Sequence, residues 1–108
     1  MANESQTLNV LTLSQSLEGI LQKHLVQSDA GLELKLEPGL HQRFMASLAN
    51  AVEYCRAEGY LKTAILCDPR FRRQLRRLIE KAYPHVAVIS YVEVAPGFTV
   101  NNIRTLEI

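Results

Sequence analysis

The sequence predicts an α/β domain in which a small mixed, mainly parallel four-stranded sheet packs with three helices. Short apolar runs, such as residues 63–67, alternate along the chain with longer segments whose apolar residues recur at helical spacing. This alternation favours a parallel sheet joined by right-handed crossovers. The predicted strands are Leu8–Leu13, Thr63–Cys67, Val86–Val92 and Phe98–Leu106, and the predicted helices are Gln15–Val26, Leu40–Glu58 and Pro69–Tyr83.

Length and composition are those of one folded domain. The chain has 108 residues, of which 47% are hydrophobic and 21% charged, a balance typical of globular proteins. The domain is expected to span residues 8–108. Residues 1–7 are expected to be a disordered N-terminal tail or a remnant foreign to the domain, and they lack the features of a signal peptide. Cys55 and Cys67 lie in apolar patterns and are expected to be buried thiols of a reducing compartment.

The first strand and helix are predicted from a boundary at Ser14. Ser14 can cap the helix, and Leu17, Leu21 and Leu25 fall on one of its faces. The helix should end in the turn residues 28–31. Residues 32–36 then alternate with period two, which fits either a short strand or an extended linker.

The middle helix and the last strand are predicted from periodicity. Apolar residues at helical spacing run through the middle helix, and Gly59 suits its end because glycine accepts the left-handed conformation. The turn at residues 95–97 should return the last strand antiparallel to its predecessor. Its apolar parity changes before Ile103, which indicates a bulge or turn at Asn101-Asn102.

The helix at residues 69–83 is strongly two-sided. Asp68 is the expected N-cap and Pro69 the first helical residue. The buried arc is predicted to contain Phe71, Leu75, Leu78, Ile79 and Ala82, and the opposite face to contain Arg72, Arg73, Arg76 and Arg77. Such a run of charge is most often a solvated surface. The alternative is a contact for an acidic partner, because basic residues near a helix N-terminus oppose its dipole.

No residue set in the sequence fits catalysis, a cofactor or a metal. The three histidines are scattered and have no cysteine at metal-ligand spacing. No glycine-rich loop follows a strand, so a phosphate-binding loop is unsupported. We therefore expect no catalytic, cofactor-binding or metal-binding residues and no enzymatic activity.

Three motifs in order resemble the C-terminal end of the FHIPEP family. They are LNVLTLSQSLE at residues 8–18, LEPGL at residues 36–40, and TAILCDPRFRRQLRRLIEKAYPHVAVISYVEVAPG at residues 63–97. Members of this family are export-gate proteins of flagellar and virulence type III secretion systems. The resemblance implies the last subdomain of a cytoplasmic part that assembles as a ring, typically nonameric, at the cytoplasmic face of the bacterial inner membrane.

The implied function is a non-catalytic docking or structural role in protein export. The partners that the resemblance implies are the export ATPase stalk, chaperone–substrate complexes, a gatekeeper and neighbouring protomers. The isolated domain is expected to be a monomer that touches neither membrane nor nucleic acid. The alternative is a stand-alone nucleic-acid-binding module that uses the basic helix 69–83, although a net charge of +1 argues against a domain-wide binding surface.

Overall fold

A parallel sheet forms the centre of the fold. The computed structural model describes residues 7–60 and 62–108. In chain order the elements are β1 (Thr7–Leu13), α1 (Gln15–Lys23), β2 (Leu25–Ser28), β3 (Gly31–Leu34), α2 (Pro38–Ala57), β4 (Ala64–Cys67), α3 (Arg72–Ile79), β5 (Ala87–Ser90), a 3₁₀ turn (Tyr91–Glu93) and β6 (Thr99–Leu106). The sheet has the strand order β5-β4-β1-β6 with each pair parallel, and β2 and β3 form a separate antiparallel hairpin. The predicted fold class is confirmed.

The core joins the sheet to all three helices. Leu11 and Ile65 of the sheet, Leu17 of α1, Phe44 of α2 and Leu75 of α3 are completely buried in one apolar cluster. The predicted burial of both cysteines is confirmed, and both thiols are free. Because the helices contribute their apolar stripes to this cluster, their polar faces are left to solvent.

Two predicted helix boundaries hold for simple reasons. Ser14 caps α1, since its Oγ accepts a hydrogen bond from the backbone N–H of Leu17 at 3.1 Å. Gly59 follows α2 with a φ of 86°, the left-handed conformation that ends helices at little cost for glycine.

The direction of the last strand was predicted wrongly. We expected β6 to return antiparallel, but it runs parallel to β1. Phe98 N–H does donate to the carbonyl of Ala95 at 3.3 Å, so the turn exists. That turn reverses the chain only locally, because β6 pairs with β1 at the far edge from β5. The register shift leaves Ile103 as the extra residue, one place after the predicted bulge.

The first helix is shorter than predicted because a hairpin follows it. It ends at Lys23 instead of Val26, and Leu25, predicted to lie on the helix, pairs with Leu34 in the hairpin. Residues 32–34 thus belong to a strand. Gly31 at the tight turn has a φ of 109°, which explains why glycine stands there.

The basic helix is also shorter than predicted, starting at Arg72 instead of Pro69 and ending at Ile79 instead of Tyr83. Asp68 does not cap it. Its carboxylate instead accepts the backbone N–H of Arg70 at 2.9 Å, and this local turn delays the helix.

The ends of the chain's other segments differ slightly from prediction. The strand predicted at Val86–Val92 is confined to β5, because Ser90 and Glu93 form a capping box that starts the 3₁₀ turn. The predicted tail, residues 1–7, lies outside the described residues except for Thr7, the first residue of β1.

Candidate docking surface

Helix α3 carries its apolar and basic residues on opposite sides. Phe71, Leu75 and Ile79 are buried in the core, as predicted, whereas Leu78, also predicted to be buried, is half-buried. Ala82, also predicted to be buried, is exposed because the helix ends before it. The four arginines predicted to bind a partner all lie within α3, three of them exposed and Arg76 half-buried.

Arg72 is held by the turn that follows β5. Its Nε donates to Oε1 of Glu93 at 2.6 Å. The same carboxylate oxygen accepts the backbone N–H of Ser90 at 2.7 Å. This backbone hydrogen bond is the main reason that the pKa of Glu93 lies below its ordinary value, and the Arg72 side chain lowers the pKa further. Arg72 therefore ties α3 to the end of β5.

Arg76 is held by the segment that precedes β5. Its Nη1 donates to the carbonyl of Val86 at 3.0 Å, and its Nη2 donates to the carbonyl of Pro84 at 3.3 Å. Strand β5 is an edge strand, whose backbone groups would otherwise be open to pairing. Arg76 thus satisfies acceptors at the entry of that edge.

Arg73 and Arg77 have no such partners. Both are exposed, and within residues 7–60 and 62–108 the side chain of neither makes a hydrogen bond or ion pair. They lie four residues apart and so occupy one face of the helix. The four predicted arginines therefore form two rows: an engaged row, Arg72 and Arg76, and a free row, Arg73 and Arg77.

Arg77 of the free row borders a groove of mixed polarity between α3 and the β2–β3 hairpin. The groove has a volume of about 250 Å³ and is lined by Leu32, Glu33, Leu34, Gln74, Arg77 and Leu78. Nε2 of Gln74 donates to the carbonyl of Leu32 at 3.5 Å, which links the helix to the hairpin. Leu32 is 44% exposed. This groove was not predicted from the sequence, although the period-two alternation of residues 32–36 indicated a strand with one apolar face.

The carboxyl ends of the parallel strands form a second polar cluster. The Tyr91 hydroxyl donates to Glu18 of α1 at 3.0 Å. Burial, and then the Glu18 carboxylate, raise the pKa of Tyr91 to about 12. Burial is also the main cause that raises the pKa of the Cys67 thiol to about 12, with Asp68 adding to it. A thiol with such a pKa is neutral at physiological pH, so it is a poor nucleophile.

The described part of the chain has neither a metal-binding cluster nor a membrane-spanning helix. Among the described residues, no group of three or more His, Cys, Asp or Glu side chains is placed to hold a metal ion. No helix in the same part of the chain is long and apolar enough to cross a membrane.

Known proteins similar to this chain include a flagellar biosynthesis protein and proteins of type III secretion systems. The sequence model of the FHIPEP family matches residues 1–99. The flagellar biosynthesis protein FlhA of Bacillus subtilis is 31% identical over 108 residues, which are 99% of this chain and 16% of FlhA. The chain thus spans about a sixth of that relative.

Solved structures resemble the fold over nearly the whole chain. The Chlamydia pneumoniae CdsV protein, solved as a complex with CdsO, has a TM-score of 0.76 and 26% identity over 94% of this chain and 30% of the solved chain. The nonameric EscV cytosolic domain from the type III secretion system has a TM-score of 0.69 over 94% of this chain and 29% of the solved chain. At 24% identity, the second likeness concerns the fold alone.

Proposed function

This chain belongs to the FHIPEP family, and we propose that it is a docking and structural subdomain of the cytoplasmic ring of a bacterial type III secretion export gate. It takes part in protein export without catalysing a reaction. Its place is the cytoplasmic face of the inner membrane, as part of a longer membrane protein.

The observation that carries this proposal is that one side of α3 is buried in the core while the other side exposes arginines that meet no partner in the described part of the chain. One side of the helix is buried in the core by Phe71, Leu75 and Ile79, so the helix is fixed in place. The other side presents Arg73 and Arg77 without a partner among the described residues. A rigid helix that displays unpaired guanidinium groups suits recognition of carboxylates on another protein.

The similar structures support the kind of partner. CdsV is solved with CdsO, and the EscV cytosolic domain is nonameric. By analogy, we propose that this chain contacts neighbouring protomers and components of the export apparatus, among them the ATPase stalk, chaperone–substrate complexes and a gatekeeper. Arg72, Arg73, Arg76 and Arg77 belong to the proposed contact region, with the direct contact assigned to the free row.

The test is truncation of the full-length parent protein immediately before this domain. The proposal predicts that secretion of export substrates is lost while the truncated protein still accumulates in the membrane. Secretion at the wild-type level would refute it. A matched full-length protein with Arg43→Glu, an exposed change on α2, serves as the control for handling and expression.

A further inference from the structure

We infer that the groove between α3 and the β2–β3 hairpin binds an acidic amphipathic segment of another protein, which inserts an aliphatic side chain between Leu32 and Leu78 and pairs a carboxylate with Arg77 and Arg73. This inference deepens the proposed docking function and rests on it.

The three leucines of the groove define the first half of the ligand. Leu32, Leu34 and Leu78 are half of its lining residues, and Leu32 is 44% exposed. A volume of about 250 Å³ lies below the roughly 300–1,000 Å³ typical of small-molecule pockets. The groove therefore suits one or two aliphatic side chains of a protein segment.

The charge at the rim defines the second half. Arg77 lines the groove, and Arg73 lies one helical turn before it. Neither has a carboxylate or carbonyl partner among the described residues. An acidic ligand is thus favoured over a basic one by charge complementarity.

The opposite rim sets the orientation. Glu33 of the hairpin also lines the groove, and its Oε2 accepts the hydroxyl hydrogen bond of Ser28 at 2.7 Å. A carboxylate of the ligand would be repelled there and attracted to the α3 side. The acidic face of the bound segment therefore points toward α3, and its remaining surface passes over the hairpin.

A long hydrogen bond of 3.5 Å from Gln74 to the carbonyl of Leu32 spans the two walls. Because both walls belong to elements tied to the same core, the groove exists before the ligand arrives. Such preorganisation lowers the entropic cost of binding.

The experiment is a methyl NMR titration of the 108-residue chain with two short helical peptides. One peptide carries leucines at i, i+3, i+4 and i+7 and glutamates elsewhere, and its twin has lysine at every glutamate position. We expect the acidic peptide to shift the methyl signals of Leu32, Leu34 and Leu78, and the lysine twin to leave them in place. Shifts centred on another surface, or equal shifts with both peptides, would overturn the inference, as would no shift with either.

Three variants sharpen the titration. Arg73→Glu/Arg77→Glu should weaken binding of the acidic peptide about tenfold or more, because like charges then face each other. Leu32→Asn, which removes the apolar anchor without a charge change, should also weaken it. Arg43→Glu/Lys62→Glu removes the same charge from exposed positions elsewhere and should bind as the wild type does. Equal weakening in this control would overturn the inference by showing that only net charge matters.

A second copy of the chain is the rival occupant of the groove. If the signals of Leu32 and Leu78 shift when the protein alone is concentrated, the groove binds a second copy of the chain and the inference is wrong. If truncation of the parent abolishes secretion while the titration fails, the docking function stands and only the assignment of this groove is lost.

Discussion

Two pairs of arginines on the short helix α3 differ in their contacts. Arg72 and Arg76 donate to Glu93, Val86 and Pro84, and so fasten α3 to both ends of β5. Arg73 and Arg77, one position further along, reach no described acceptor. The residues of a charged helix face therefore differ in their availability, since an arginine that already binds groups within the domain has less capacity to bind a partner protein.

Removing the core anchor of α3 should have the largest effect, because both rows depend on it. Leu75 is completely buried, and Leu75→Ala should lower the free energy of unfolding by about 2–5 kcal/mol through lost burial and the cavity left behind. Leu48→Ala in α2, equally buried, is the matched change away from the arginines. Chemical denaturation measures both, and a loss below about 1 kcal/mol for either would refute the core assignment.

Arg76→Ala should lower the free energy of unfolding by about 1 kcal/mol. The carbonyls of Val86 and Pro84 lose a charged donor, but they regain partial access to water. Arg77→Ala is the control, with the same side chain removed from the same helix. Denaturant midpoints should therefore fall for Arg76→Ala and barely change for Arg77→Ala. The reverse ranking would show that Arg77, and not Arg76, stabilises the fold, and the assignment of the two rows would be wrong.

The hydrogen bonds that Glu93 accepts, first from the Ser90 N–H and then from Arg72, should be visible in the pH dependence of stability. The folded-state pKa of Glu93 lies below its ordinary value of 4.5. For a carboxyl group with a lowered pKa, the stabilising contribution is present above the unfolded-state pKa and is lost as pH falls through the folded-state pKa. The denaturant concentration at the midpoint of unfolding should therefore decrease as the pH is lowered below about 4.5.

Two arginine variants assign that acid-sensitive contribution. Arg72→Ala should make the drop shallower, yet only in part, because the Ser90 N–H still donates to Glu93. Arg73→Ala should leave the drop as in the wild type. Asp68, whose pKa is lowered mainly by the backbone N–H of Arg70, contributes the same in each protein. An identical acid response in Arg72→Ala and wild type would remove Arg72 from the engaged row.

The smallest effect on stability is expected for the free row. Arg73→Ala and Arg77→Ala should each change the free energy of unfolding by less than about 0.5 kcal/mol, as at most exposed positions without partners. A loss above about 1 kcal/mol for either, well outside that range, would mean that the side chain stabilises the fold itself.

Part of the local chemistry was predictable from the sequence, although the cap predicted at Asp68 was wrong, and pairing over long distances was not predictable. The cap at Ser14, the glycine end of α2 at Gly59 and the buried stripe of α3 depend on neighbouring residues, and all three were predicted. The direction of β6 depends on which strand offers an open edge. Since β1 is some 90 residues earlier in the chain, no turn residue near β6 encodes that choice.

The same limit applies to the candidate site. The helical projection placed Arg72, Arg73, Arg76 and Arg77 on one face, because it counts only the angle about the helix axis. The acceptors that separate them come from the start and the end of β5, outside the helix. The groove at Leu32 was missed for a related reason, since it exists only where the hairpin meets α3.

The most direct test of the division is a charge reversal of each row in the full-length protein, with secretion measured in cells and denaturation measured on the 108-residue chain. We expect Arg73→Glu/Arg77→Glu to lower secretion and to leave the denaturation midpoint near that of the wild type. We expect Arg72→Glu/Arg76→Glu to lower the midpoint, because the changes break contacts with Glu93, Pro84 and Val86. Wild-type secretion in the Arg73→Glu/Arg77→Glu protein, at wild-type abundance, would show that the free row is ordinary solvated surface.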